Sequence, residues 1–127
     1  MKKCYVFVHR GVKGSYTGIQ ALHAAVRLVS QNQDHPDIKA WADEFETVVI
    51  LDGGNSSNMR TIYSLLTFAD NPSATFRETD MDNLVTAIAY VPSEVEYMDI
   101  ENIKLNGIGN LSSSIVDVIA NSKTHRG

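Results

Sequence analysis

The sequence predicts a single α/β domain: a mixed four-stranded sheet flanked by helices, with one more helix near the C-terminal end. Three observations lead there. Strand-like and helix-like segments follow the order β-α-α-β-α-β-β before a last helical run, the alternation of an α/β layer fold. Helices separate the first two strands, which favours a parallel, right-handed crossover. Four residues, Asp80 to Asn83, separate the last two strands, which favours an antiparallel hairpin. With 127 residues the chain is sized for one domain with its own core. That domain is taken as 1–127, with a core over 1–92 and an extension over 93–127.

The elements are justified in chain order. "CYVFVH" (4–9) is β-branched and aromatic and reads as a buried strand, and "RGVKGS" (10–15) as a loop. Residues 16–31 read as a helix. At the helical pitch Ile19, Leu22, Val26 and Val29 fall within an arc of about 120°, the expected core face. Tyr16, Gln20, His23 and Arg27 form a polar stripe about 60° wide beside it. Pro36 restricts the residue before it and suits a first helical turn, so "PDIKAWADEF" (36–45) is a short helix with Trp41 inward. "TVVIL" (47–51) is a second buried strand. "DGGNSSN" (52–58) is a turn whose Asn or Ser can cap a helix over 57–70. "ATFRET" (74–79) and "LVTAIAYVP" (84–92) are the hairpin strands. Residues 94–110 read as irregular, with strand-like fragments. "SSSIVDVIANSK" (112–123) is a final helix presenting Leu111, Ile115, Val118 and Ile119, and "THRG" is a frayed end.

Composition narrows the function classes. The formal net charge of −4 does not announce a nucleic-acid binder, although it leaves room for a local basic patch. The single cysteine, Cys4, excludes an internal disulfide and points to a reducing compartment and an inert core position. No apolar run is long enough for a membrane span, and the short "MKK" head does not make a signal peptide. The expectation is a cytoplasmic protein with no membrane contact.

The chemistry-bearing residues gather around the first loop and helix. A loop leading into a helix start offers free N–H groups, and Arg10 and Lys13 beside it would suit a phosphate. The bland alternative is a satisfied, half-buried His23 beside solvated cations. "GVKGS" lacks the P-loop spacing, and "GIGNLS" follows no strand and lacks the acidic partner of a dinucleotide fingerprint. His9, His23 and His35 lack ligand spacing, so no metal and no cofactor is expected. Glu78, Asp80 and Asp82 follow a strand. A carboxylate there could orient a base or a water, or the cluster is simply a polar turn.

In this setting "GIQALHAA" resembles the Gln-Cys-x-His-Ala signature on the first helix of the type 2 peptidyl-tRNA hydrolase family. Gln20, His23 and Ala24 match it, and Ala21 stands for the Cys. The resemblance runs over about residues 2–92: an opening strand followed by Arg10, a Trp on the second helix, a "TVVIL" strand, a capped helix, and two last strands ending in Pro92. It implies a small mixed sheet wrapped by helices, hydrolysis of the ester joining a peptide or blocked amino acid to tRNA, no metal or cofactor, and a homodimer. It assigns the catalytic site to Lys13, Gln20, His23, Glu78 and Asp80, with Arg10, Arg27 and Arg77 on phosphate and ribose. Two positions depart from the family. Its catalytic Lys, four residues before the Gln, is Tyr16 here. Its Asp-Ala-Gly-x-Thr loop is replaced by "RETDMDN". A non-catalytic module on the same fold, binding a protein, an RNA or a small phosphorylated ligand, is the competing expectation.

Overall fold

The computed structural model describes residues 2–107 and 114–127. Four strands, β1 (Cys4–Val8), β2 (Val48–Asp52), β3 (Ser73–Glu78) and β4 (Leu84–Tyr90), form one sheet in the order β2-β1-β4-β3. β1 runs parallel to β2, and β4 runs antiparallel to both β1 and β3. The mixed sheet expected from the connection lengths is therefore present. Helices α1 (Tyr16–Gln31) and α2 (Pro36–Ala40) lie between β1 and β2, and α3 (Ser56–Leu66) lies between β2 and β3. α2 runs directly into one wide π-type turn over Trp41–Phe45. α4 (Glu94–Asn106) and α5 (Ser114–Asn121) follow the sheet. Among the described residues no helix is long and apolar enough to cross a membrane.

Strand alternation divides the core into two layers, because successive side chains point to opposite faces. Cys4, Val6 and Val8 face α1 and α2, together with Ala74, Ala87 and Ala89. Tyr5 and Phe7 face the other way, where Ile88 and Tyr90 join Met59, Ile62 and Leu66 of α3 and the isoleucines of α4 and α5. Burial pushes the Cys4 thiol up to about 12, which suits an inert core residue. Trp41 is buried as expected, and its indole N–H donates to the Thr47 carbonyl at 2.7 Å.

Three expectations require correction. First, α1 does not pack Leu22 and Val26 on the sheet; they are 62% and 58% exposed, and Ile19 is exposed too. The buried face is Thr17, Gln20, Ala21, Ala24, Ala25 and Leu28. The strands below present small residues, so helix and sheet approach closely along an alanine seam that larger side chains would hold apart. Leu22 and Val26 instead line an open apolar groove of about 600 Å³ with Trp41, Val48 and Ile50. Only Val29, partly buried, packs at the edge of the core as expected.

Second, residues 94–106 are helical rather than irregular. Ser93 and Glu96 form a reciprocal capping box, and Gly107 closes α4 at φ +74°. Third, the end of the chain is not frayed. The Asp52 N–H donates to the Lys123 carbonyl at 2.8 Å, and the His125 N–H donates to the Ile50 carbonyl at 3.0 Å. Residues 123–125 thus lie antiparallel along the outer edge of β2. Of the apolar face expected on the last helix, Ile115 and Ile119 are buried and Val118 is partly buried; Val116 is buried as well. Leu111 lies outside the described residues.

Candidate functional site

A cleft of about 410 Å³ opens beside the start of α1 and is lined by Gly11, Val12, Lys13, Tyr16, Gln20, Glu78, Asp80 and Met81. Three parts of the fold build it. The loop after β1 supplies Lys13, the first turns of α1 supply Tyr16 and Gln20, and the end of β3 with its following turn supplies Glu78 and Asp80. The antiparallel β3–β4 pairing brings the last of these near the first, since β4 lies between β1 and β3.

Gln20 is the anchor. It is 4% exposed, so both ends of its amide need partners. The Thr86 hydroxyl, from the buried middle of β4, donates to Gln20 Oε1 at 2.5 Å. Gln20 Nε2 then donates to Glu78 Oε2 at 3.0 Å. Because the Glu78 carboxylate can only accept, the amide nitrogen must face it, which leaves the amide oxygen to accept from the Thr86 hydroxyl. The amide is therefore oriented to present a hydrogen to a carboxylate, and it holds Glu78 at the cleft wall. The other Glu78 oxygen lies 3.5 Å from the Asp80 N–H. Asp82 and Asn83 both adopt left-handed backbone (φ +54° and +59°), which turns the chain tightly enough to bring β4 back beside β3.

Four of the five residues expected to be catalytic, Lys13, Gln20, Glu78 and Asp80, thus line one hollow. His23 does not. It lies exposed further along α1, its ring stacked on Phe76 at 4.4 Å with the planes 12° apart. The expected stripe is split accordingly: Gln20 is buried inside, while His23 and Arg27 lie outside. The Arg27 guanidinium sits over the same Phe76 ring, 5.1 Å from its centroid. Arg77 reaches the Asn83 carbonyl at 3.4 Å. Neither arginine lines the cleft. Arg10 pairs with Asp52 at 3.0 Å on the adjoining surface.

One polar residue escapes sequence reasoning, and another, His9, is weighed there only as a metal ligand. Thr86 sits within an apolar strand, and only its position in the middle of "LVTAIAY" hints that it must meet a partner. His9 accepts from the Gly11 N–H at Nδ1 (2.8 Å), so its Nε2 carries the proton toward Ser56 Oγ at 3.0 Å. Burial is the main cause that lowers its pKa, with Arg10 and His125 adding to it against the opposing pull of Asp52. Asp52 shows the reverse balance. Burial tends to raise its pKa, but the Gly54 N–H and the Arg10 guanidinium hold it below the ordinary carboxylate value.

Among the described residues no group of three or more His, Cys, Asp or Glu side chains is arranged to hold a metal ion. The polar side chains that line the cleft are one ammonium, two carboxylates, the Tyr16 phenol and a fixed amide. No family model matches the chain, and no curated protein is a significant match to it.

Proposed function

We propose that the protein is a peptidyl-tRNA hydrolase-like enzyme that cleaves the ester between a peptide or blocked amino acid and tRNA. The observation that carries this reading is the convergence of Lys13, Glu78 and Asp80 on one cleft around the buried Gln20 amide. Ester hydrolysis needs a water held by a base and a donor for the charge that develops on the carbonyl oxygen. Glu78, steadied by Gln20, would take a proton from the water as its oxygen bonds to the acyl carbon. The Lys13 ammonium would stabilise the oxyanion. As the acyl–oxygen bond breaks, the proton passes to the departing ribose oxygen, leaving a carboxylate product and free tRNA. Asp80, beside Glu78, would orient the water.

A second reading, a binding module without catalysis, is favoured by Tyr16. It lines the cleft at the helix position where the family carries its catalytic Lys. Release of a blocked amino acid from tRNA by purified protein separates the two. Lys13→Ala or Asp80→Ala is expected to lower turnover a hundredfold or more with the fold intact, matching about 3 kcal/mol for one lost transition-state group. Glu78→Gln should be at least as severe. Full activity in all three variants rejects these roles, and an inactive parent leaves the binding module.

A further inference from the structure

Beyond the cleft, the surface is continuous with two further polar hollows. One, of about 230 Å³, is lined by Arg10, Lys13, Asp52, Lys123, His125 and Arg126. The other, of about 410 Å³, runs from Arg10 along Gly54, Asn55 and Asn58 at the start of α3. Lys13 belongs to both the cleft and the first hollow, and Arg10 to both hollows. The three are thus successive stretches of one track across the ends of β1 and β2.

The first hollow holds four cationic side chains, Arg10, Lys13, Lys123 and Arg126, against one carboxylate, Asp52, in a chain whose formal net charge is −4. Asp52 is engaged by Arg10. Lys13, Lys123 and Arg126 are exposed and make no ion pair among the described residues. The closing segment is held in place by its backbone rather than by these charges: its two hydrogen bonds to β2 are joined by His125. That ring accepts from the Gly127 N–H at Nδ1 (2.9 Å) and points Nε2 at the His9 carbonyl, 3.1 Å away. The cations on either side of His125 are therefore displayed from a fixed support, which lowers the cost of binding with them.

We propose that this track binds the phosphodiester backbone of a single-stranded nucleic acid, with Lys123 and Arg126 of the closing segment as phosphate contacts beside Arg10 and Lys13. A single phosphate would need one pocket. A row of hollows that share their cations fits a repeating anion, and loosely paired surface cations suit phosphate contacts. The choice of nucleic acid rests on the hydrolase reading, because the track leads into the cleft where the terminal ribose ester would sit.

The test is fluorescence anisotropy of a short labelled single-stranded RNA, titrated with the whole protein at several salt concentrations between about 50 and 200 mM. The parent is expected to bind. The double variant Lys123→Ala, Arg126→Ala is expected to bind about tenfold more weakly or worse, with a salt dependence shallower by about 1.4 in log–log slope for two lost contacts. Lys13→Ala, in a different part of the chain, should reduce the slope by about half as much. A matched control, Lys39→Ala with Lys104→Ala, removes two charges elsewhere and should bind as the parent does. Thermal midpoints establish that the variants are folded. A parent that does not bind RNA, a closing-segment variant that binds unchanged, or a control that weakens equally would overturn the proposal. So would inorganic pyrophosphate displacing the RNA at its own binding concentration, since that marks a single-anion site. RNA binding without ester hydrolysis leaves this inference standing and removes the hydrolase reading. Hydrolysis of a short ester without RNA binding does the opposite.

Discussion

Gln20 illustrates what one residue's surroundings decide. Its sequence position beside His23 and Arg27 reads as a solvated stripe, yet it is buried and bonded at both ends of its amide. The structure turns a polar surface into one polar core residue and two surface ones. Thr86→Val should therefore release the amide and disturb the cleft without touching it. The expected outcome is a loss of about 1–3 kcal/mol, from an unpaired buried acceptor, read from the denaturant midpoint. Leu28 and Leu22 make a similar pair. Leu28→Ala removes a fully buried side chain and should cost about 2–5 kcal/mol, whereas Leu22→Ala, at an exposed position, should cost well under half as much. Equal costs would mean the alanine seam is not where α1 packs. His9 supplies the pH prediction. Its folded-state pKa is lowered, so the folded state binds the proton less readily than the unfolded chain. Its contribution to stability is full above about 6.5 and is lost as the pH falls through the lowered value. Melting temperatures across that range should fall more steeply for the parent than for His9→Gln.

At the scale of elements, the boundaries of α1 and the pairing of the strands were legible, while the orientation of α1 and the existence of α4 were not. The limits of α1 are written in Gly14 and Ser15 before it and Pro36 beyond it. Its buried face is not, because a hydrophobicity pattern ranks Leu22 and Val26 above alanine, and only the small residues of β3 and β4 make alanine the better fit. α4 is hidden for another reason. Its buried positions, Glu96, Asp99, Ile100 and Ile103, have helical spacing, but two of the four are acids. The signal that could have found it is the capping box, Ser93 with Glu96 three residues on, followed by Gly107. Glu96 serves more than the cap. One carboxylate oxygen accepts from the Tyr90 hydroxyl (2.5 Å) and the Ser93 N–H (2.9 Å), and the other accepts from the Asp70 N–H (3.2 Å). It ties α4 to β4 and to the loop after α3. Glu96→Ala strands three donors at once and should destabilise by at least about 1–3 kcal/mol, measurable as a shifted urea midpoint. An unchanged midpoint would show that water replaces the carboxylate freely.

The whole molecule is two apolar layers that share strands β1, β2 and β4. Trp41 belongs to the α1–α2 layer, whereas far-UV dichroism reports helices on both faces. Thermal unfolding followed by tryptophan fluorescence and by dichroism should coincide, since neither layer can keep its sheet without the other. Separate midpoints would mean that the two layers melt independently. The candidate site was only partly legible at this scale. The cleft groups could be named from the first loop, the first helix and the β3 turn, but the cations at Lys123 and Arg126 are more than a hundred residues from the first loop in sequence and are brought beside it by the pairing of 123–125 with β2. That pairing also bears on how copies of the chain behave toward one another. β2 is an outermost strand, and an uncovered strand edge is a template on which another chain can add. By occupying the Ile50 carbonyl and the Asp52 N–H, the last residues blunt that template. A chain shortened to end at Asn121 should keep its folded spectrum yet scatter more light as concentration rises. The same few residues would then serve as a guard against polymerisation, and trimming them would turn a covered strand edge into an adhesive one.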